Sequence, residues 1–313
     1  MHLFLPAAVQ LLHVPDGFLN IPISGLCWVV TLIVLYFAVK QAQLDFDERL
    51  VPLAGIMAAF IFAGQMLNFP VAGGTSGHLV GATLAFVVLG PWVGVLAMTA
   101  VISLQALIFQ DGGLVVMGAN ILIMGIVPGF VGYGVFQMVK NQSRGVKLGV
   151  TAVAAWFSVM IAALLTALLL GFSGTTALGV AIPAMLGIHA LIGIGEALIT
   201  VAALSFIMQT RPQLLSDSAP AGSGKWVVAG IILAVVVVFF APLASGSPDG
   251  LEWVAEQTGF LDTAVDAPFQ ILPDYIIPAL GETGVSTIVA GIIGALVVAG
   301  VTFGLGRILR RRA

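Results

Sequence analysis

Long apolar stretches separated by short polar breaks dominate this chain. Runs close to the length a bilayer demands of a helix, about 20 residues, occupy 21–39, 51–69, 91–109, 115–139, 148–170, 180–208, 226–242 and 285–305. A ninth run, 78–89, is too brief to span unless it is tilted or shares depth with the loop before it. The pattern predicts an all-α, polytopic membrane helical bundle of about seven crossings followed by a C-terminal two-helix hairpin. Residues 211–225, RPQLLSDSAPAGSGK, read as a Pro/Ser/Gly-rich linker between a front domain, 12–210, and a two-span module, 226–313. That module holds a loop of about forty residues, 243–282, rich in Asp, Glu and Pro. A polar loop so long is uncommon unless it docks onto something or stays disordered.

Composition agrees with the pattern. Hydrophobic residues make up 60% of the 313 and charged ones 8%, a balance no water-soluble core needs. A lone cysteine, Cys27, excludes an internal disulfide or a thiolate metal cluster and reads as packing in the first span. The opening residues, MHLFLPAAVQL, resemble a short apolar leader without the basic start of a signal peptide.

Charge adds direction. With the N-terminus outside and the short run counted as a crossing, all eleven Lys and Arg fall on the cytoplasmic side, as the positive-inside rule requires. The outer side then carries Asp16, Asp111, Asp249, Glu252, Glu256, Asp262, Asp266, Asp274 and Glu282. Omitting the short run would split the basic residues between the two sides. The expectation is therefore nine crossings, an external N-terminus and a cytoplasmic C-terminus, with His13 and His78 both on the outer side.

Candidate chemistry concentrates in 68–81, NFPVAGGTSGHLVG, a turn-rich break between apolar runs. Backbone that is not helical survives at membrane depth only where protein buries it or where it lines a cavity. His78 of this break and His13 of LHVPDGFL are candidate metal ligands; neutral imidazoles suit Ni, Co, Cu or Zn better than Mg or Ca. Two imidazoles are too few for tight binding, and Asp16 is the nearest acid. Asp16, Asn68, Thr75 and Ser76 are candidates to support the ligands by hydrogen bonding. His189 and Glu196 lie seven apart on one helix face, where ionisable groups within a span are functional candidates; a proton or ion path and a structural pin are both open. AGSGKW at 221–226 lacks the remaining Gly and the Ser/Thr of a phosphate loop, and neither HExxH nor GxSxG occurs. The methionines at 57, 66, 98, 117 and 124 read as packing.

Four motifs in order, LHVPDGFL, QMLNFPVAGGTSGHLVG, FQDGGLVVMGANILIMG and HALIGIGEALIT, resemble the CbiM/NikM family, the substrate-capturing membrane components of energy-coupling-factor cobalt and nickel transporters. SPDGLEWVAE and LPDYIIPAL, followed by a terminal span, resemble the PDGLE module, related to the small CbiN/NikN subunit. The resemblance implies Co2+ or Ni2+ as transported substrate, held by an N-terminal amine, the amide nitrogen and imidazole of the next residue, and a second imidazole, here His13 and His78. Leu12 stands where the initiating Met belongs, so the family chelate requires a chain beginning at residue 12, with its backbone amine free. The resemblance further implies that this chain is not an enzyme, ATP being hydrolysed on separate cytoplasmic subunits coupled through another membrane subunit. Its implied surroundings are the cell membrane and its lipids, with no nucleic acid. The alternative is an ion-coupled secondary metal transporter or channel using His189 and Glu196.

Overall fold

The computed structural model describes residues 13–44, 47–48, 50–211 and 225–310. In chain order these form α1 (Ile21–Leu44), α2 (Leu50–Gln65), a hairpin of β1 (Phe69–Val71) and β2 (Thr75–Gly77), α3 (Ala82–Leu89) and α4 (Pro91–Leu104). A π-helical turn, Gln105–Phe109, ends α4. Next come α5 (Met117–Asn120), a second π-helical turn (Ile121–Ile126), α6 (Val127–Met138), α7 (Arg144–Phe172) and α8 (Leu178–Thr210). The C-terminal part supplies α9 (Lys225–Val238), α10 (Gly250–Thr258) and α11 (Gly284–Arg310).

Among the described residues, seven helical stretches are long and apolar enough to cross a membrane. The predicted all-α membrane bundle therefore stands. The nine-crossing count needs adjustment at its two short members. α2 has 16 residues and covers about 24 Å, whereas α3 has 8 and covers about 12 Å. His78 is not in a helix: it lies between β2 and α3. Every residue of α3 is buried, and its start is held opposite the middle of α8, where Glu196 bonds Val80 and Gly81. The short run thus reaches depth only together with the hairpin loop before it, because Gly and Pro keep residues 70–81 out of helical geometry.

The two C-terminal helices of the predicted hairpin touch one another. Both pack chiefly against α2, where small residues let backbones approach, as membrane helices require. A Cβ on Gly55 would lie 3.1 Å from the Ala299 carbonyl of α11, and one on Gly230 of α9 would lie 2.6 Å from Ile56. Phe62, Phe109 and Tyr275 join the two parts in an aromatic cluster, with ring centroids 4.5 to 6.0 Å apart. Lipid-length apolar faces remain on α1, where Leu26, Val29, Leu32, Ile33 and Phe37 are exposed.

Candidate functional site

The segment after His13 enters the bundle because its polar backbone is met by side chains there. Asn120 brackets Val14, accepting from its N–H at 3.1 Å and donating to its carbonyl at 2.9 Å. Phe18 is fully buried against Phe260. The Asp16 carboxylate accepts from the amides of Leu114, Val115 and Val116 at 2.9 to 3.1 Å, and such charge-assisted bonds fix the 111–116 loop firmly. The loop comes so close that a Cβ on Gly113 would lie 2.2 Å from Asp16 Oδ1. Asp16, a candidate to support the ligands, anchors this loop.

His13 is 2% exposed. Its Nδ1 meets Asp111 Oδ1 at 2.5 Å, and its buried Nε2 has no hydrogen-bond partner among the described residues. Asp111 is delivered by the π-helical end of α4 and by Gln110, whose φ of 55° turns the chain sharply. His78 Nδ1 lies 3.0 Å from the Leu79 carbonyl. A carbonyl only accepts, so this Nδ1 carries the proton and Nε2 is left with the lone pair in the neutral imidazole. The two rings stack with centroids 5.9 Å apart at 29°.

Both imidazoles line a cavity of about 60 Å³ shared with His189, Asp249, Met124 and Met185. His189 Nδ1 donates to the Met185 carbonyl at 2.8 Å, and a Cβ on Gly250 would lie 2.8 Å from its Cε1. Glu196 does different work. Fully buried, it accepts from the Val80 and Gly81 amides at 2.7 and 3.0 Å, fixing the segment that carries His78. Among the described residues, no three His, Cys, Asp or Glu side chains gather closely enough to hold an ion by themselves. Leu12 and its backbone nitrogen lie outside the described residues.

The 243–282 loop of the C-terminal part closes over this cavity. Ser76 donates from its amide to the Pro248 carbonyl and from its hydroxyl to the Ser247 carbonyl, both at 2.8 Å. Asn68 accepts at its carbonyl from the Ser245 amide at 2.7 Å, and Thr75 donates to the Ser76 carbonyl. The three polar residues of the break thus serve the docking of the loop and the shape of the hairpin. Val265 donates to the Asp16 carbonyl at 2.7 Å. Asp249 caps α10 by accepting from the Glu252 amide at 2.7 Å and stands 3.9 Å from His78 Nε2. Burial pushes its carboxyl up to about 7, against the pull of the capping amides. Tyr275 donates to Asp111 Oδ2 at 2.6 Å.

Asn120, Asp111, Asp249 and Tyr275 are the site neighbours that sequence reasoning passed over. The two acids had been counted only as outer charges. Their signal was faint but present: Asp111 sits in FQDGG between apolar runs, and Asp249 and Tyr275 sit in the PDGLE and LPDY stretches.

Comparison with known proteins finds two family matches along the chain. Residues 13–214 match the family of the cobalt uptake substrate-specific transmembrane region, CbiM, and residues 224–311 match the PDGLE domain. The chain is 36% identical over 302 residues to a putative fused nickel transport protein NikMN of Archaeoglobus fulgidus, covering 96% of this chain and 99% of that one. It is 30% identical to the fused nickel transport protein NikMN of Rhodobacter capsulatus, over 96% of this chain and all of that one. A cobalt transport protein CbiM of Sorangium cellulosum is 32% identical over 65% of this chain and 94% of its own. A crystal structure described as a truncated transition metal transporter superposes with a TM-score of 0.57 at 35% identity, covering 63% of this chain and 98% of that one.

Proposed function

Because the chain belongs to the family of the cobalt uptake substrate-specific transmembrane region, extended by a PDGLE domain, and is a membrane component of cobalt or nickel transport, we propose that it captures the ion with His13 and His78. The single observation that carries this reading is that the buried His13 imidazole stacks on the His78 imidazole at one cavity that both line. Two imidazoles hold a transition ion weakly. The backbone amide of His13 and a free amine at residue 12 complete four nitrogens, a set that suits a square-planar ion such as Ni(II).

The ion is substrate and arrives from the outer side. The N-terminus lies outside and the C-terminus in the cytoplasm. Inward movement is driven by ATP hydrolysis on separate cytoplasmic subunits, transmitted through a transmembrane coupling subunit. An ion-coupled path through His189 and Glu196 is the weaker alternative, since both Glu196 oxygens are occupied by backbone amides.

Uptake of labelled nickel or cobalt by cells tests the choice. With ATPase and coupling subunits present, uptake should exceed that of the chain alone by an order of magnitude or more. Proton-driven uptake by vesicles holding only this chain would overturn the ATP-driven reading.

A further inference from the structure

Tyr275 belongs to the C-terminal part, yet its phenol reaches the front part's histidine through one intermediary. Tyr275 donates to Asp111 Oδ2 at 2.6 Å, and Asp111 Oδ1 holds His13 Nδ1 at 2.5 Å. Gln105 Nε2 donates to the phenol oxygen at 3.4 Å. The ring stacks on Phe109 at 4.5 Å and 17° and is buried. Asp274 and Tyr275 both adopt left-handed backbone, with φ of 52° and 58°. Residues other than Gly rarely hold that conformation, and two in succession persist only where side-chain contacts over-determine them. Burial also raises the phenol pKa well above its ordinary value, so Tyr275 stays a donor.

We propose that Tyr275 is a positioning residue for metal capture, acting through Asp111 to set how tightly His13 Nδ1 is held. The inference rests on the reading of His13 as a ligand. An imidazole that chelates together with its own backbone amide does so through Nδ1, because Nε2 points away from that backbone. Nδ1 is the nitrogen that Asp111 holds, so the arriving ion competes with Asp111 for it. A buried carboxylate with a second donor is better satisfied and grips the imidazole less. Without the phenol O–H, His13 is the remaining side-chain partner of Asp111 among the described residues. Its bond then tightens and the ion is disfavoured. The PDGLE part thereby adjusts the front part's affinity without contributing a ligand.

Tyr275→Phe keeps the stack on Phe109 and removes only the hydroxyl. In the purified chain begun at residue 12 with Leu12→Met, so that a free amine precedes His13, nickel should bind about fivefold more weakly, with an unchanged ligand-field spectrum because the ligands are the same. In the metal-free protein, the nitrogen-15 imidazole signal of His13 should shift. In an Asp111→Asn background, Tyr275→Phe should have no further effect on affinity. An unshifted His13 signal, or an equal loss of affinity in both backgrounds, would overturn the proposal. Should Asp111→Asn not bind nickel at all, the metal-free His13 signal decides. Retained binding in His13→Ala would defeat the reading of the site itself; loss there with unchanged affinity in Tyr275→Phe would defeat this inference alone.

Discussion

Glu196 illustrates what a single residue can and cannot disclose. A carboxyl inside an apolar run reads as an ion path because isolated charge is costly there, but its partners are the amides of Val80 and Gly81, more than a hundred residues away. Leaving a buried donor unsatisfied costs roughly 1–3 kcal/mol, and removing this side chain strands two. Glu196→Ala should therefore destabilise the protein by about 3 kcal/mol and weaken nickel binding at least about tenfold, by releasing the His78 segment. Thermal unfolding and metal titration in detergent check both. Unchanged stability and affinity with abolished transport would instead mark Glu196 as part of a path. The pairing of His13 with His78 was legible because each imidazole sits in a Gly- and Pro-containing break. The links from Asp111 to His13 and to Tyr275 were not, since they join residues 98 and 164 positions apart and no local pattern encodes them.

Among the elements, helix existence was readable and helix partnership was not. Apolar length reports that a segment needs a non-aqueous surrounding, yet it does not say which neighbour covers which face; the packing of α9 and α11 on α2 was therefore not legible. The short run failed as a helix at its start because Gly81, at φ 77°, sets the first turn of α3 well after His78. The docked 243–282 loop depends on one tight crossing. Gly17, at φ 93°, brings the chain so close to the Thr263 carbonyl that an added Cβ would fall 1.9 Å from it. Gly17→Ala should lift residues 263–265 from Asp16 while leaving the spans folded. Hydrogen exchange should then show lost protection at the Val265 amide, which donates to the Asp16 carbonyl, with helical circular dichroism unchanged. Full protection at that amide would mean the loop is held elsewhere.

Taken whole, the molecule is one interleaved bundle in which the C-terminal part supplies the roof of the cavity and the front part supplies its imidazoles. The membrane class followed from composition alone, whereas the site emerged only when a loop from 243–282 and a segment from 13–20 met across the fold. The account stands on His13 and His78 acting as one site, and nickel titration addresses that directly. The protein to titrate is a chain shortened to begin at residue 12, carrying Leu12→Met so that a free amine precedes His13. It should bind one nickel ion, and His13→Ala or His78→Ala should each weaken binding by about a hundredfold or more, since neither leaves four nitrogens in place. Wild-type affinity in either variant would contradict the account.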